Sequence, residues 1–442
     1  MKSNTLKPEK IRVEKIINGG YGLGRLHDGR TILLGNVLPG ETVSCHIVEQ
    51  RKKTLFGRVD TVLQPHRERI TPPCSYYHKC GGCDLQHCSY EEQLRLKNQI
   101  LDELLHGMAL QCLPIISSPQ HFGYRQRIRL KIDRGTTGFL RFRSHEIVAI
   151  RRCLLAHPAI NTVLEEILHH RYFEPLRRTS SEIELLYNPG TEGVTLLFHL
   201  HRKPRPADRG AAMELAGASA GLERVFFTGA TFSLEGPYSA PGTFCNSTTF
   251  THHVTDVHAG QRHKLAWEIG GFCQVNLGQN DNLVSYVAQC CGDQRQQNIL
   301  DLFCGMGNFS IALARPGVFL TGVEGQGASI RCANANAKEA GLANTDFIKG
   351  PIDTICRQLA EQHRHYDVTV LDPPRQGIPG LAPILGQLTR KKIIYISCDP
   401  ATLARDLNQL VDQGFAITSV QPFDMFPQTH HIETVVVLEK SC

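Results

Sequence analysis

The chain lacks what a membrane-spanning protein or a disulfide scaffold needs. Across 442 residues no uninterrupted apolar run approaches the roughly 18 residues of a membrane helix. The opening stretch, Met1-Lys-Ser-Asn-Thr-Leu-Lys-Pro-Glu-Lys10, is polar and has no apolar signal core, so a cytoplasmic protein is expected. Sixteen cysteines are too few to staple a chain of this length, and a reducing compartment keeps them as thiols. They divide among metal ligands, reactive thiols and buried spares. Internal repeats and low-complexity segments are absent, which excludes a repeat architecture. A strong charge of one sign is missing too: 48 Lys and Arg against 42 Asp and Glu leave +6, which permits a nucleic-acid partner without requiring one.

What is present reads as two or three domains. Residues 8 to about 66 hold five short strands broken by Gly19, Gly20, Gly22 and Gly24, the pattern of a small barrel of the oligonucleotide-binding kind. Arg51-Lys52-Lys53 gives it a basic loop. A cysteine-rich loop follows over residues 71–92, and Tyr90 to Leu110 has helical spacing. In Tyr124-Arg-Gln-Arg-Ile-Arg-Leu-Lys-Ile, residues Arg125, Arg127, Arg129 and Lys131 share one strand face, which suits a phosphate backbone. Strands and one helix are expected up to about residue 265, with Arg202–Arg209 a polar loop. From about 266 strands alternate with helices, which predicts a doubly wound parallel sheet. The expected division is 1–68 barrel, 69–265 central domain and 266–442 C-terminal domain, with the helix at 90–110 packed on the last.

Three stretches carry chemistry. Ile394-Tyr-Ile-Ser-Cys398-Asp-Pro reads as a buried strand that turns straight into a helix. A thiol there lies near the positive end of the helix dipole, which favours the nucleophilic thiolate. Leu300-Asp-Leu-Phe-Cys-Gly305-Met-Gly307-Asn308-Phe joins a first strand to a glycine loop, and Glu324 ends the next strand. No third glycine admits a pyrophosphate, while an acid at Glu324 takes both hydroxyls of a ribose. Together these suit a nucleoside cofactor without a pyrophosphate, S-adenosylmethionine being the common one. Leu371-Asp372-Pro-Pro-Arg375 then makes a stiff loop over the pocket. Arg375 stands where an amine methyltransferase carries a stacking aromatic, which argues against amine methylation and leaves methylation at carbon open.

Cys74-Ser-Tyr-Tyr-His-Lys-Cys80-Gly-Gly-Cys83 is a further stretch with chemistry of its own. Its spacing is neither that of paired zinc knuckles nor that of radical enzymes, and it leaves an iron–sulfur cluster, zinc or no metal open. Cys88, His78 and His87 are nearby alternative ligands.

With Cys74…Cys80-Gly-Gly-Cys83, Phe272-Cys-Gln274-Val-Asn276, Asp301-Leu-Phe303-Cys-Gly-Met-Gly-Asn308, Val323-Glu324, Asp372-Pro-Pro-Arg-Gln-Gly, Ser397-Cys398-Asp-Pro and His430-His-Ile-Glu433, the chain resembles the RNA uracil-C5 methyltransferases. Within them it is most similar to the iron–sulfur branch that modifies 23S ribosomal RNA. The likeness covers almost the whole chain, and the barrel looks like a TRAM domain.

The resemblance implies a 4Fe–4S cluster on Cys74, Cys80, Cys83 and Cys153. It implies S-adenosylmethionine contacts from Gln274, Phe303, Asn308, Glu324 and Asp372, with Cys398 as nucleophile and Glu433 as base. Cys398 would add to carbon 6 of a flipped-out uracil, carbon 5 would take the methyl, and Glu433 would remove the carbon 5 proton. The expected partner is 23S rRNA, the protein a monomer. The relatives' acid after the third sheet strand is displaced here, where Lys349-Gly-Pro351-Ile-Asp353 stands. Two other readings are a transfer-RNA uracil methyltransferase, whose members look shorter and without barrel or cluster cysteines, and a non-catalytic iron–sulfur RNA-binding protein.

Overall fold

The computed structural model describes residues 8–108, 112–240, 247–256, 260–292 and 296–441. The chain start up to residue 7 and the expected helical end at 109–110 lie outside them. Strands β1 (Glu9–Ile17), β2 (Tyr21–Arg25), β3 (Thr31–Leu34), β4 (Thr42–Arg51) and β5 (Thr54–Gln64) close into a barrel in the order β1-β2-β3-β5-β4. Ile11, Val13, Ile32, Leu34, Val43 and Leu55 alternate inward and fill it. A Cβ at Gly22 would lie 2.2 Å from Val37 Cγ2, so only glycine lets β2 close on the core.

After the cysteine-rich loop, Ser89 caps the helix Tyr90–Leu105, its side chain accepting from Glu92 N at 3.3 Å. Leu96, Ile100, Leu101 and Leu105 enter the same core as Tyr395, Leu403 and Leu407 of the C-terminal region. Lys97, fully buried, pairs with buried Asp424 and donates to Phe426 O at 3.1 Å.

The central sheet holds β6 (Arg127–Asp133), β7 (Thr136–Leu140), β8 (Ile147–Ala149), β9 (Ser180–Asn188), β10 (Gly193–Leu200), β11 (Leu222–Gly229) and β12 (Phe232–Tyr238). Their order is β12-β11-β10-β9-β6-β7-β8. Three helices pack here rather than the one expected: Pro158–Leu168, Phe173–Arg178 and Pro206–Ala216. One of them starts on Pro206 inside the stretch expected to be a polar loop.

The cationic face expected at 125–131 is also corrected. Arg127 and Arg129 pair with Glu184, and Arg129 and Lys131 with Glu182, both on the neighbouring strand β9. Arg125 lies outside the strand and points toward Cys83 and Cys153. The charge is therefore largely spent inside the sheet.

β13 (Thr249–Asp256) and β14 (Gln261–Glu268) form a hairpin, tied down where Asn336 exchanges hydrogen bonds of 2.8 and 3.0 Å with Ala266. The C-terminal sheet comprises β15 (Gln297–Leu302), β16 (Val318–Glu324), β17 (Thr345–Lys349), β18 (Tyr366–Leu371), β19 (Thr389–Ser397), β20 (Phe415–Phe423) and β21 (Glu433–Lys440). It runs β17-β16-β15-β18-β19-β21-β20, parallel through β19, with β21 antiparallel to both β19 and β20. Helices cover both faces through two separate apolar cores. The expected doubly wound sheet is observed, and its order reverses between β15 and β18, where such sheets bind ligands at their carboxyl ends.

Candidate active site

At that switch point the chain leaves β15 through Phe303, at φ +62°, and then Gly305 and Gly307, at φ +56° and +89°. Gly305 N donates to Glu324 Oε2 at 3.3 Å, and Gln326 N to Glu324 Oε1 at 2.7 Å, so the acid ending β16 is held beside the glycine loop. Asp301 lies fully buried under the loop. Ser310 Oγ donates to its Oδ2, while Oδ1 has no partner. Burial, with the Glu324 carboxylate nearby, raises its pKa to about 7. The side-chain amides of Asn308 and Asn280 bond reciprocally at 2.9 and 3.0 Å. Asn280 belongs to the helix Leu277–Cys291, which begins three residues after buried Gln274. The carboxyl ends of β15, β16 and β18 thus bring Phe303, Glu324 and Asp372 to one edge of the sheet, with Asn308 held against the helix by Asn280, while Gln274 lies buried in the segment before that helix. Asp353 lies exposed in the first turn of the next helix, so no acid follows β17 directly.

Strand register brings the reactive pair together. Ser397 of β19 stands opposite Thr434 of β21, so the next step along the two antiparallel strands sets Cys398 level with Glu433. Glu433 is buried and lies across from Phe423 of β20. Its pKa is raised well above the ordinary carboxylate range by burial and then by Asp372. Asp372, raised to about 7 by burial and by Asp301, extends the run of carboxyls. Such a buried cluster holds protons that isolated acids would release.

Cys398 is pushed up to about 12 by burial, then by the Glu433 and Asp372 carboxylates, with Arg375 opposing. The expectation of a dipole-stabilised thiolate fails in the free protein. Asp399 already caps the helix, accepting from Thr402 N at 2.8 Å, and burial, followed by the two carboxyl neighbours, raises the thiol. Cys398, Arg375, His430, His431 and the barrel residues Asn18 and Gly19 line one hollow of about 200 Å³. Sequence reasoning had not placed the barrel turn or His431 there. No local pattern links them to Cys398.

The cysteine loop forms a second cavity of about 320 Å³, lined by Cys74, Cys80, Cys83 and Cys153 together with Arg125. Cys74 N donates to Gln86 Oε1 at 3.3 Å and Gly82 N to Cys80 Sγ at 3.4 Å. Cys153 is fixed by Asn161, which accepts from its N–H at 2.8 Å and donates to its carbonyl at 2.9 Å. Burial raises Cys80 to about 11 and also raises Cys83 and Cys153. Cys88, His78 and His87 are not in this lining. Cys88 donates its S–H to Leu85 O inside the core, and His87 is buried between Tyr77 Oη and Val37 O. Among the described residues no three His, Cys, Asp or Glu side chains approach closely enough to grip a single metal ion.

Hydrogen bonds tie the segments beside the two cavities together. Asp84, next to Cys83, meets His430 at 2.6 Å, and Asp84 N and Leu85 N both donate to Gln428 O at 3.1 Å.

Comparison with known proteins agrees with this geometry. Residues 245–441 match the family model described as tRNA (Uracil-5-)-methyltransferase, and residues 9–59 match the TRAM domain. A 23S rRNA (uracil(1939)-C(5))-methyltransferase of Vibrio cholerae is 32% identical, covering 98% of this chain and 96% of its own. One of the same name from Pseudomonas putida is 31% identical over 98% and 94%. The solved tRNA (uracil-54, C5)-methyltransferase of Pyrococcus abyssi, with S-adenosyl-L-homocysteine, shares the fold at a TM-score of 0.73, with 24% identity over 97% of this chain and all of its own.

Proposed function

The chain belongs to the RNA (uracil-5-)-methyltransferase family, and we propose that it methylates carbon 5 of a uridine in 23S rRNA through a covalent adduct between Cys398 and carbon 6. The observation that carries this reading is the register of β19 against β21. It sets one thiol level with one buried acid at the ligand-binding edge of the sheet.

Carbon 5 of uracil is a weak nucleophile. Cys398 adds to carbon 6 and turns the ring into an enolate. Its thiol proton leaves first, to Asp372, whose raised pKa makes it a stronger base than an ordinary carboxylate. S-adenosylmethionine, when bound, supplies the electrophilic methyl group that carbon 5 takes. Glu433 then removes the carbon 5 proton, and the electron pair left behind expels the Cys398 sulfur. A protonated Asp372 donates to a uracil carbonyl, as a carboxyl near pKa 7 can. The cofactor residues are Gln274, Phe303, Asn308, Glu324 and Asp372. The unpartnered Oδ1 of Asp301 supports a polar ligand over the glycine loop.

Cys74, Cys80, Cys83 and Cys153 would hold a 4Fe–4S cluster. Four thiols line one cavity, and an all-cysteine donor set suits an iron–sulfur cluster. Bound there, the group fastens a loop that has almost no secondary structure.

Substrate choice does not rest on length or on the barrel. The Pyrococcus abyssi tRNA enzyme spans nearly the same architecture, so those features do not separate the two RNAs. The curated relatives named for 23S rRNA favour the ribosomal substrate. Unmodified 23S and tRNA transcripts with labelled S-adenosylmethionine test this. Label entering 23S RNA, and none with Cys398→Ala, is expected. Label in tRNA alone would reassign the substrate.

A further inference from the structure

Behind the glycine loop stands a buried histidine. His252 of β13 is 3% exposed, and neither ring nitrogen has a hydrogen-bond partner among the described residues. Buried polar groups are almost always satisfied, so a ring left unmet weakens the free protein. Its neighbours on the same strand face locate it. Phe250 lies stacked on Trp267, ring centroids 4.4 Å apart, in one apolar core with Met306. Val254 shares another core with Ile311 and Leu283. His252 lies between Phe250 and Val254, and so faces the span from Met306 to Ile311, in whose middle Asn308 stands. Burial pushes the His252 pKa down to about 4, with the Asn308 side chain opposing and His253 adding to the fall. The ring is therefore neutral, with one N–H and one bare nitrogen.

The hairpin that carries His252 is fastened to the loop. The Asn336 amide that exchanges bonds with Ala266 of β14 also donates to Met306 O at 3.0 Å. β13 packs on the helix that carries Asn280 and on the short helix Ser310–Leu313 that follows Asn308. In the free protein Asn308 spends its oxygen and one N–H on Asn280. One N–H of the Asn308 amide is left over, and the bare nitrogen of His252 is an acceptor for it. A hairpin that only filled the core would carry an apolar residue here, as it does at Phe250, Val254, Leu265 and Trp267.

We propose that His252 is a positioning residue for S-adenosylmethionine: its ring receives the second N–H of Asn308 when the cofactor occupies the loop, and so fixes the amide that meets the ligand. The proposal rests on the reading of the glycine loop as the cofactor site. It adds to that site a residue from a hairpin outside the doubly wound sheet. The unmet ring costs stability in the free protein, and its bond is gained only in the complex. Part of the cofactor affinity therefore resides in His252.

The test joins thermal unfolding of the full-length protein without ligand to its calorimetric titration with S-adenosyl-L-homocysteine. His252→Phe removes both unmet nitrogens and keeps a flat ring, so the unfolding temperature should hold or rise. The Kd for S-adenosyl-L-homocysteine should nonetheless rise by about tenfold, the worth of one hydrogen bond. His252→Leu, smaller than the ring, should lose affinity to the same degree. In an Asn308→Ala background His252→Phe should change Kd by less than about twofold, because the bond has lost its other end. Affinities within about twofold of wild type for both His252 variants would overturn the proposal. So would a weakening that comes with a lower unfolding temperature in both, or one repeated in full in the Asn308→Ala background. Wild-type protein that binds no S-adenosyl-L-homocysteine would remove the cofactor reading itself, and this inference with it. No RNA enters these measurements, so they stand apart from the identity of the methylated substrate.

Discussion

Asp84 and His430 lie 346 residues apart in sequence and 2.6 Å apart in space. One follows a cysteine of the second cavity, and the other precedes Glu433 by three residues. Around them Gln428 N donates to Gln93 Oε1 at 2.9 Å and Tyr124 Oη to Pro427 O at 3.1 Å. The loop that leads into Glu433 is thus clamped by the cysteine loop and the helix beside it. Asp84→Ala should free that loop, lower kcat several-fold and leave the KM for S-adenosylmethionine unchanged. Steady-state kinetics check the split; a change in KM alone would remove the positioning role.

Glu433→Gln keeps the shape of the acid and loses the base. Methyl should still reach carbon 5, but the adduct should fail to resolve, and protein-bound RNA should accumulate with turnover down by about a hundredfold or more. Denaturing gels with labelled RNA read this directly. Normal turnover would relieve Glu433 of its role.

Stability should depend on pH through the buried acids. Asp301 and Asp372 have pKa values of about 7 against an ordinary 3.8, so folding favours their protonated forms. Their contribution is complete below about pH 4 and fades as pH rises toward 7. Between pH 5 and pH 8 the protein should therefore lose on the order of 5 kcal/mol from these two acids together, and Asp372→Asn should recover part of it at pH 8 while destroying activity. Thermal unfolding at the two pH values checks it; equal unfolding temperatures would refute it.

The cysteines divide sharply. Cys153→Ser should lose bound iron and its visible absorption, whereas Cys88→Ala should keep both, since Cys88 lies in the apolar core and its S–H is satisfied by Leu85 O. Iron analysis of the two purified variants decides between them. Iron retained in Cys153→Ser would exclude it as a ligand.

Much of this was legible in sequence because the signals are local. The strand endings at Leu302, Glu324, Leu371 and Ser397 each announce themselves by apolar runs followed by glycine, acid or proline, and each lies where expected. What escaped is non-local. Arg127, Arg129 and Lys131 read as a free cationic face because nothing near them in sequence names Glu182 and Glu184 as partners. The thiol at Cys398 reads as activated until the strand register brings two carboxyls to it. The helix that begins at Pro206 lies in a polar, proline-bearing stretch whose apolar residues gain meaning only against the sheet. The clamp at His430 depends on pairings across domains, which periodicity does not encode.

The most direct measurement uses RNA in which 5-fluorouridine replaces uridine, incubated with the protein and S-adenosylmethionine and then digested for mass spectrometry. Fluorine at carbon 5 leaves no proton for Glu433 to take, so the intermediate should persist. A peptide spanning Cys398 and carrying a methylated fluorouridine is the expected product. A methylated nucleotide released with no protein attached, or attached through any other residue, would contradict it.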